Sequence, residues 1–162
     1  MNSSFLSIGT NLGDRENNIR KVISLIQENN IKIISKSSIY ETEPIGYKKQ
    51  NYYYNSVFEV RFKFNCKTLF LKIKNIEHEM GRNFYVPRNY PRIIDIDILT
   101  FNDDLINNNM FRIPHTKLSK RKFVLIPWNE ISSNYEVPEL NKNISILLND
   151  VKDLSIIRKL DI

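Results

Sequence analysis

One cysteine, Cys66, stands in 162 residues. No internal disulfide can form, and no cysteine pair offers a metal site. Cys66 is most simply a buried hydrophobe in a reducing compartment. Long apolar runs are also missing. No stretch approaches the ~18 residues of a membrane span. The opening MNSSFLSIGTNLGD carries too short an apolar run for a signal peptide. The expectation is a cytoplasmic protein without a membrane partner. Glycine is scarce, at 4 residues, and none is followed by lysine. The phosphate-cradling patterns G-x-x-x-x-G-K-[ST] and G-x-G-x-x-G are absent. So are the H-R-D and D-F-G triplets of protein kinases. A nucleotide bound here would have its phosphates held by side chains and metal, not by a glycine loop.

What remains is ordinary globular composition, 41% hydrophobic and 26% charged, which excludes a largely disordered or fibrous chain. One domain over residues 1–162 is the expectation at this length, and such a chain can bury one substantial core. The formal charge is +6. A basic excess favours nucleic acid, a nucleotide or a phosphorylated metabolite as partner. An excess this modest is equally explained by solubility. No repeat and no linker divides the chain.

Phe5 to Ile8 spells a short strand ended by Gly9. Asp14 is placed to cap a helix whose apolar face carries Ile19, Val22, Ile23 and Ile26. The run IKIISKSSIY at 31–40 is rich in strand formers, and 53–64 alternates over much of its length. The loop ETEPIGYKKQNY between them is broken by Pro44 and Gly46. Asn65 is a cap for a second helix with Leu69, Phe70, Ile73, Ile76 and Met80 on one face, and Gly81 is its expected stop. A polar loop, RNFYVPRNYP, leads into a strand that turns at Asn102-Asp103-Asp104. A short helix is predicted near 123–131, another at 144–148, and an extended piece at 155–158. This order predicts an α+β fold, the ferredoxin-like βαββαβ core with a mainly antiparallel sheet. Helices packed on one face would leave the other open to a ligand.

Two charges interrupt the greasy run IIDIDILTF. Alternation puts Ile94, Ile96 and Ile98 on one face and Asp95 and Asp97 on the other, with the aspartate Cα atoms ~6.6 Å apart. Carboxylates that near repel, and a shared low-dielectric site would raise one pKa. A divalent cation removes the conflict. One or two carboxylates completed by water and phosphate is how Mg²⁺ is usually held. The plain alternative is a two-faced strand with a wet outer side. Arg82, Arg88 and Arg92 upstream, with His115 and Arg121 downstream, favour the metal reading, because guanidinium groups grip phosphate bidentately.

Taken in order, several short motifs resemble one family. They are IGTNLGDR at 8–15, SSIYETEPIG at 37–46, Tyr53-Tyr54-Asn55, Ile76-Glu77, Gly81-Arg82 and Pro91-Arg92. Asp95-Ile96-Asp97-Ile98, Ile113-Pro114-His115, Arg121-Lys122-Phe123-Val124-Leu125 and Pro127 complete the set. Together, over about residues 5 to 138, they resemble the 6-hydroxymethyl-7,8-dihydropterin pyrophosphokinases of folate biosynthesis. The resemblance implies transfer of the pyrophosphoryl group of ATP to the pterin hydroxymethyl group, releasing AMP. It implies two Mg²⁺ ions on Asp95 and Asp97, and catalytic roles for these aspartates with Arg82 and Arg92. ATP would meet Glu77, Arg82, Arg88, Arg92, Ile98, His115 and Arg121, with Glu77 and Ile98 near the nucleoside. The pterin would stack on Tyr53 and Phe123, bond to Asn55, and be read by the backbone at Thr42 and Ile45. The loop at 82–91 would be a mobile lid that closes over both substrates and excludes water. A monomer with no nucleic-acid partner is implied.

The lid departs from the family pattern. GRNF and RNYPR stand where the family commonly has Gly-Arg-x-Arg and Arg-Trp-Gly-Pro-Arg. Phe84 replaces an arginine and Asn89 a tryptophan, and both changes bear on ATP affinity and lid closure. Tyr85 or Tyr90 is the candidate replacement cover. Two rival readings stand beside this one. A basic ferredoxin-like sheet could be an RNA-binding module, though the aromatic RNP1 pattern is missing. A degenerate relative would bind pterin or nucleotide without turnover.

Overall fold

The computed structural model describes residues 1–162. The first strand, β1 (Asn2–Thr10), sends Leu6 and Ile8 to one face, both fully buried. Phe5, Ser7 and Gly9 point to the other, as the period-two pleat requires. Helix α1 (Arg15–Glu28) begins at Asp14, whose side chain accepts the Asn17 N–H at 3.0 Å, and it buries Ile19, Val22, Leu25 and Ile26. Leu25 takes the place expected of Ile23, which is only partly buried.

The run at 31–40 is not one strand. It forms β2 (Lys32–Lys36) and β3 (Tyr40–Thr42), both antiparallel to β4 (Tyr53–Phe62). Three residues, 37–39, face only Ser56 and Val57, so the ladder breaks. Ser37 bridges the gap. Its N–H donates to Val57 O at 2.9 Å, and its Oγ accepts the Val57 N–H at 3.0 Å. Glu41 and Thr42, expected in the loop, therefore belong to the sheet. Pro44, which lacks an N–H, follows one residue later.

Helix α2 (Cys66–Glu79) is capped by Asn65, whose side chain accepts the Thr68 N–H at 2.9 Å. Its end is a Schellman turn. Gly81 sits at φ +87°, its N–H bonds to His78 O at 2.9 Å, and the Arg82 N–H bonds to Glu77 O at 3.0 Å. This turn aims Arg82 back toward β5 (Asp95–Phe101). Then come the pair β6 (Ile106–Asn107) and β7 (Arg112–Ile113), a 3₁₀ turn at Leu118–Lys120, and α3 (Lys122–Ser132). The pair β8 (Glu136–Val137) and β9 (Lys142–Asn143), helix α4 (Ile144–Asp150) and strand β10 (Ile157–Lys159) complete the chain.

The main sheet runs β10-β3-β4-β1-β5, with β2 also on β4, and every pair is antiparallel. Its core order is the ferredoxin-like one, with β10 added at an edge. Leu6, Ile8, Phe58, Val60, Ile96 and Ile98 pack in one core with the apolar faces of α1 and α2. The opposite face is not wholly open, as the sequence suggested. Phe5, Val57 and Leu99 form a second core with Val124, Leu125 and Trp128 of α3 and Ile144 and Leu147 of α4. Phe5 and Trp128 have ring centroids 5.0 Å apart. What stays open is the remainder of that face, carrying Ser7, Gly9, Tyr53, Asn55, Asp95 and Asp97.

Candidate active site

Residues opposite one another in an antiparallel sheet share a face. The pairings Gly9↔Asn55 and Gly9↔Asp95 therefore lay Asn55, Gly9 and Asp95 in one row, with Ser7 and Asp97 in the next. Asn55 and Asp95, two strand spacings apart, have Cα atoms roughly 10 Å apart. Above these rows lies a cavity of about 600 Å³. Gly9 is needed at its floor. A Cβ there would stand 2.8 Å from Asn55 Oδ1 and 3.6 Å from the Tyr53 ring.

At the acidic end every carboxylate has cations on it. Asp95 accepts Arg82 Nη1 at 2.8 Å on one oxygen and forms an ion pair with Arg92 Nη1 at 2.8 Å on the other. Asp97 Oδ2 accepts Arg121 Nη1 at 3.2 Å, and His115 Nε2 lies 3.7 Å away. Burial holds the His115 imidazole below its ordinary pKa; Asp97 opposes this and Arg121 reinforces it. Its Nδ1 accepts the Lys117 N–H at 3.1 Å, which leaves the neutral ring's proton on Nε2, toward Asp97.

At the other end Tyr53 and Phe123 line the cavity with Thr42, Ile45 and Asn55. Asn55 and Thr42 are buried, and Asn55 Nδ2 donates to Thr42 Oγ1 at 2.7 Å. The amide is thus pinned from beneath. Arg121 lies 5.6 Å from the Phe123 ring centroid, so that one arginine borders both ends.

The cavity gathers twelve of the fourteen expected residues: Thr42, Ile45, Tyr53, Asn55, Arg82, Arg88, Arg92, Asp95, Asp97, His115, Arg121 and Phe123. Two lie elsewhere. Ile98 lines an adjoining cavity of about 220 Å³ with Phe70, Ile73, Phe111 and Ile113, and the two cavities share Lys74, Asp97, His115 and Thr116. Glu77, expected near the nucleoside, lines neither cavity. Its side chain is fully buried, bonded to Arg82, to Lys74 Nζ at 2.7 Å and to the Ile96 N–H at 2.8 Å. Burial pushes its carboxyl pKa up, opposed by Lys74, Arg82 and the Ile96 N–H. A buried carboxylate with three donors is an anchor: it sets Arg82 against β5.

The 82–91 loop lies on the 43–52 loop. Gln50 Nε2 donates to Asn89 O at 2.7 Å, and the Tyr47 and Tyr90 rings stack at 5.4 Å. A Cβ on Gly46 would come within 2.7 Å of the Asn89 amide. Phe84 packs against Arg82, with 4.9 Å between guanidinium and ring. Tyr85 is 99% exposed and covers nothing, while Tyr90 is occupied by Tyr47. Sequence reasoning missed Glu43, Lys74, Thr116, Lys117 and Lys120, all of which line the large cavity. The lysines at 117 and 120 had a visible signal, the basic run KLSKRK, but a solvated face explains such a run equally well.

Residues 5–133 match the family model of the 7,8-dihydro-6-hydroxymethylpterin-pyrophosphokinase (HPPK). The chain belongs to the HPPK family. It is 37% identical over 136 residues to the 2-amino-4-hydroxy-6-hydroxymethyldihydropteridine pyrophosphokinase of Bacillus subtilis, covering 83% of this chain and 81% of that protein. The protein of the same name from Aquifex aeolicus is 35% identical over 142 residues, 88% of each. The Folic acid synthesis protein FOL1 of Dictyostelium discoideum is 37% identical over 86% of this chain, which spans only 21% of that longer protein. Among solved structures, Plasmodium falciparum HPPK-DHPS superposes with a TM-score of 0.71 at 21% identity, over 92% of this chain and 43% of that one. That likeness speaks to the fold alone. The RNA-module reading is not favoured: α3 and α4 cover part of the face such a sheet would use, and the open remainder carries two carboxylates. No helix is long and apolar enough to cross a membrane.

Proposed function

We propose that this chain is the HPPK of folate biosynthesis, transferring the pyrophosphoryl group of ATP to 6-hydroxymethyl-7,8-dihydropterin. The observation that carries the reading is one cavity with an aromatic and amide end and a cationic end, and a pair of aspartates on its floor. A flat heterocycle fits between Tyr53 and Phe123, with its polar edge at Asn55. Its hydroxymethyl oxygen attacks the β-phosphorus of ATP. A bond forms between that oxygen and the β-phosphorus, and the bond to the α–β bridging oxygen breaks. AMP leaves with the bridging oxygen, and the hydroxyl proton passes to water.

The donor set of Asp95 and Asp97 suits Mg²⁺, which takes one or two carboxylates and completes its shell with phosphate and water. When bound, two Mg²⁺ ions would neutralise phosphate charge and lower the pKa of the acceptor hydroxyl. The chain's own part is positioning and electrostatics, which dominate phosphoryl transfer. Arg82 and Arg92, and His115 and Arg121, are already gathered at the two carboxylates and would contact the triphosphate. Arg88, Lys117 and Lys120 line the same cavity without an ion pair, so their charge is free for phosphate. The nucleoside would use the smaller apolar cavity at Ile98. Residues 1–162 act as one pyrophosphokinase domain, a cytoplasmic monomer with 82–91 as its lid. The test is AMP release from ATP and Mg²⁺ with and without the pterin. Pterin-dependent AMP without ADP is the expected result. Pterin binding with no AMP would make the chain a binder without turnover.

A further inference from the structure

We propose that residues 151–160 are a strap that positions the pterin end of the cavity from both sides. The inference rests on the pterin site proposed above. The family match ends at residue 133, and the strap lies beyond it.

The strap first meets α3. That helix has no side-chain cap of its own, because Arg121 stands at its N-cap position. Asp153 supplies one from a distance, its Oδ2 accepting the Lys122 N–H at 3.0 Å. Its Oδ1 accepts the Ser155 N–H at 2.9 Å, which locks the carboxylate. Burial would raise the Asp153 pKa, but the bonds from Ser155 and Lys122 outweigh it and hold the group below its ordinary value. The residues on either side of this anchored N–H are Arg121 and Phe123, both on the cavity wall.

The strap then meets the pterin loop. Ile156 O accepts the Glu43 N–H at 3.3 Å, and Glu43 Oε1 accepts the Ile156 N–H at 3.1 Å. Next, β10 pairs with β3, with Ile157 opposite Thr42 and Arg158 opposite Glu41. Arg158 adds an ion pair to Glu41 at 3.0 Å. Thr42 in turn holds Asn55. Without β10 the three residues of β3 would be an exposed edge, and Thr42 would lose its outer neighbour. The strap therefore reaches Phe123 through Asp153 and Asn55 through Thr42.

Hydrogen bonds, not burial, hold the strap. None of residues 151–162 is fully buried, and Leu154 is 93% exposed. Val151 packs against the second core, and removing only the residues after it leaves both cores intact. The experiment compares the wild type, a chain ending at Val151, Asp153→Ala and Asp153→Ser. Pterin Kd is read from ligand fluorescence and ATP KM from AMP release. Loss of one to two net hydrogen bonds at the pterin end predicts about a tenfold weaker pterin Kd in the truncated chain. Asp153→Ala should weaken it about threefold and Asp153→Ser, still a capping side chain, should restore it. ATP KM should shift several-fold less than pterin Kd throughout, because the strap touches the ATP end only through Arg121. Unchanged pterin affinity in Asp153→Ala, or parallel shifts of both substrates, overturns the strap. The Asp153 pair decides even where the truncated chain fails to fold. Failure of the wild type itself to bind pterin would instead overturn the function on which the strap depends.

Discussion

Asp95 holds two arginines, and Asp97 holds Arg121 with the neutral His115 imidazole beside it, so neither carboxylate stands as a bare charge. Removing one unbalances the site. Asp95→Ala leaves Arg82 and Arg92 without the group between them, and Asp97→Ala does the same to Arg121 and His115. Either change should cut kcat by on the order of 10³-fold, the scale of losing one preorganised electrostatic contact at a phosphoryl-transfer centre. Circular dichroism should be unchanged, since both side chains are outside the cores. An active Asp95→Ala, Asp97→Ala double variant would refute the assignment. Gly9 is the second decisive residue. Its alanine variant drives a Cβ toward Asn55 Oδ1, displacing the amide from Thr42. Titration of pterin fluorescence should show affinity lower by roughly tenfold, the equivalent of one hydrogen bond, with ATP KM little changed. Equal pterin affinity would mean that Asn55 does not read the ring.

Among elements, a joint between α3 and the edge of the sheet ties together the two elements that carry Phe123 and Thr42. Tyr40 on β3 donates to Glu130 Oε2 on α3 at 2.6 Å, and Glu130 Oε1 accepts the Ser38 N–H at 3.0 Å and hydroxyl at 2.8 Å. Burial, with the bond and charge of Glu130, pushes the Tyr40 pKa up to about 12 from 10.0. The folded state therefore keeps a proton that the unfolded chain releases. Stability from this link is full below about pH 10 and falls as pH rises from about 10 to about 12. Urea unfolding across that window should show the loss in the wild type and a smaller one in Tyr40→Phe. At neutral pH that variant should be less stable by ~1 kcal/mol. Parallel curves for the two proteins would assign the alkaline loss to other groups.

For the whole molecule, the +6 charge is not spread evenly. Seven Lys or Arg side chains face three carboxylates around the large cavity. Such a basin attracts polyanions, and salt screens it. ATP affinity should fall as ionic strength rises, while pterin affinity stays flat. Lys117→Gln with Lys120→Gln should raise ATP KM by roughly tenfold, from two exposed charge contacts of up to ~1 kcal/mol each. The same pair should flatten the salt dependence. Stopped-flow binding at two ionic strengths checks both. An unchanged salt response would leave the excess charge to solubility.

Much was legible in the chain itself, for local reasons. Asp14, Asn65 and Gly81 mark helix ends because caps answer to the nearest backbone donors and acceptors. The alternation Ile94 to Ile98 separates a buried face from an acidic one because the pleat has period two. The HPPK family was readable because its motifs are short, ordered and chemically distinctive. Tertiary structure decided the rest. That Glu77 is buried on α2 and bonded to Arg82 could not be read from its place in the sequence. The run at 31–40 looked continuous until Ser37 met Val57. The second face looked open until Phe5 and Leu99 received Trp128 from far along the chain. Lys117 and Lys120 were indistinguishable from solvated surface until the fold turned them onto the cavity. Caps and alternation depend on neighbours in sequence, whereas burial and pairing depend on partners that only a closed chain brings together.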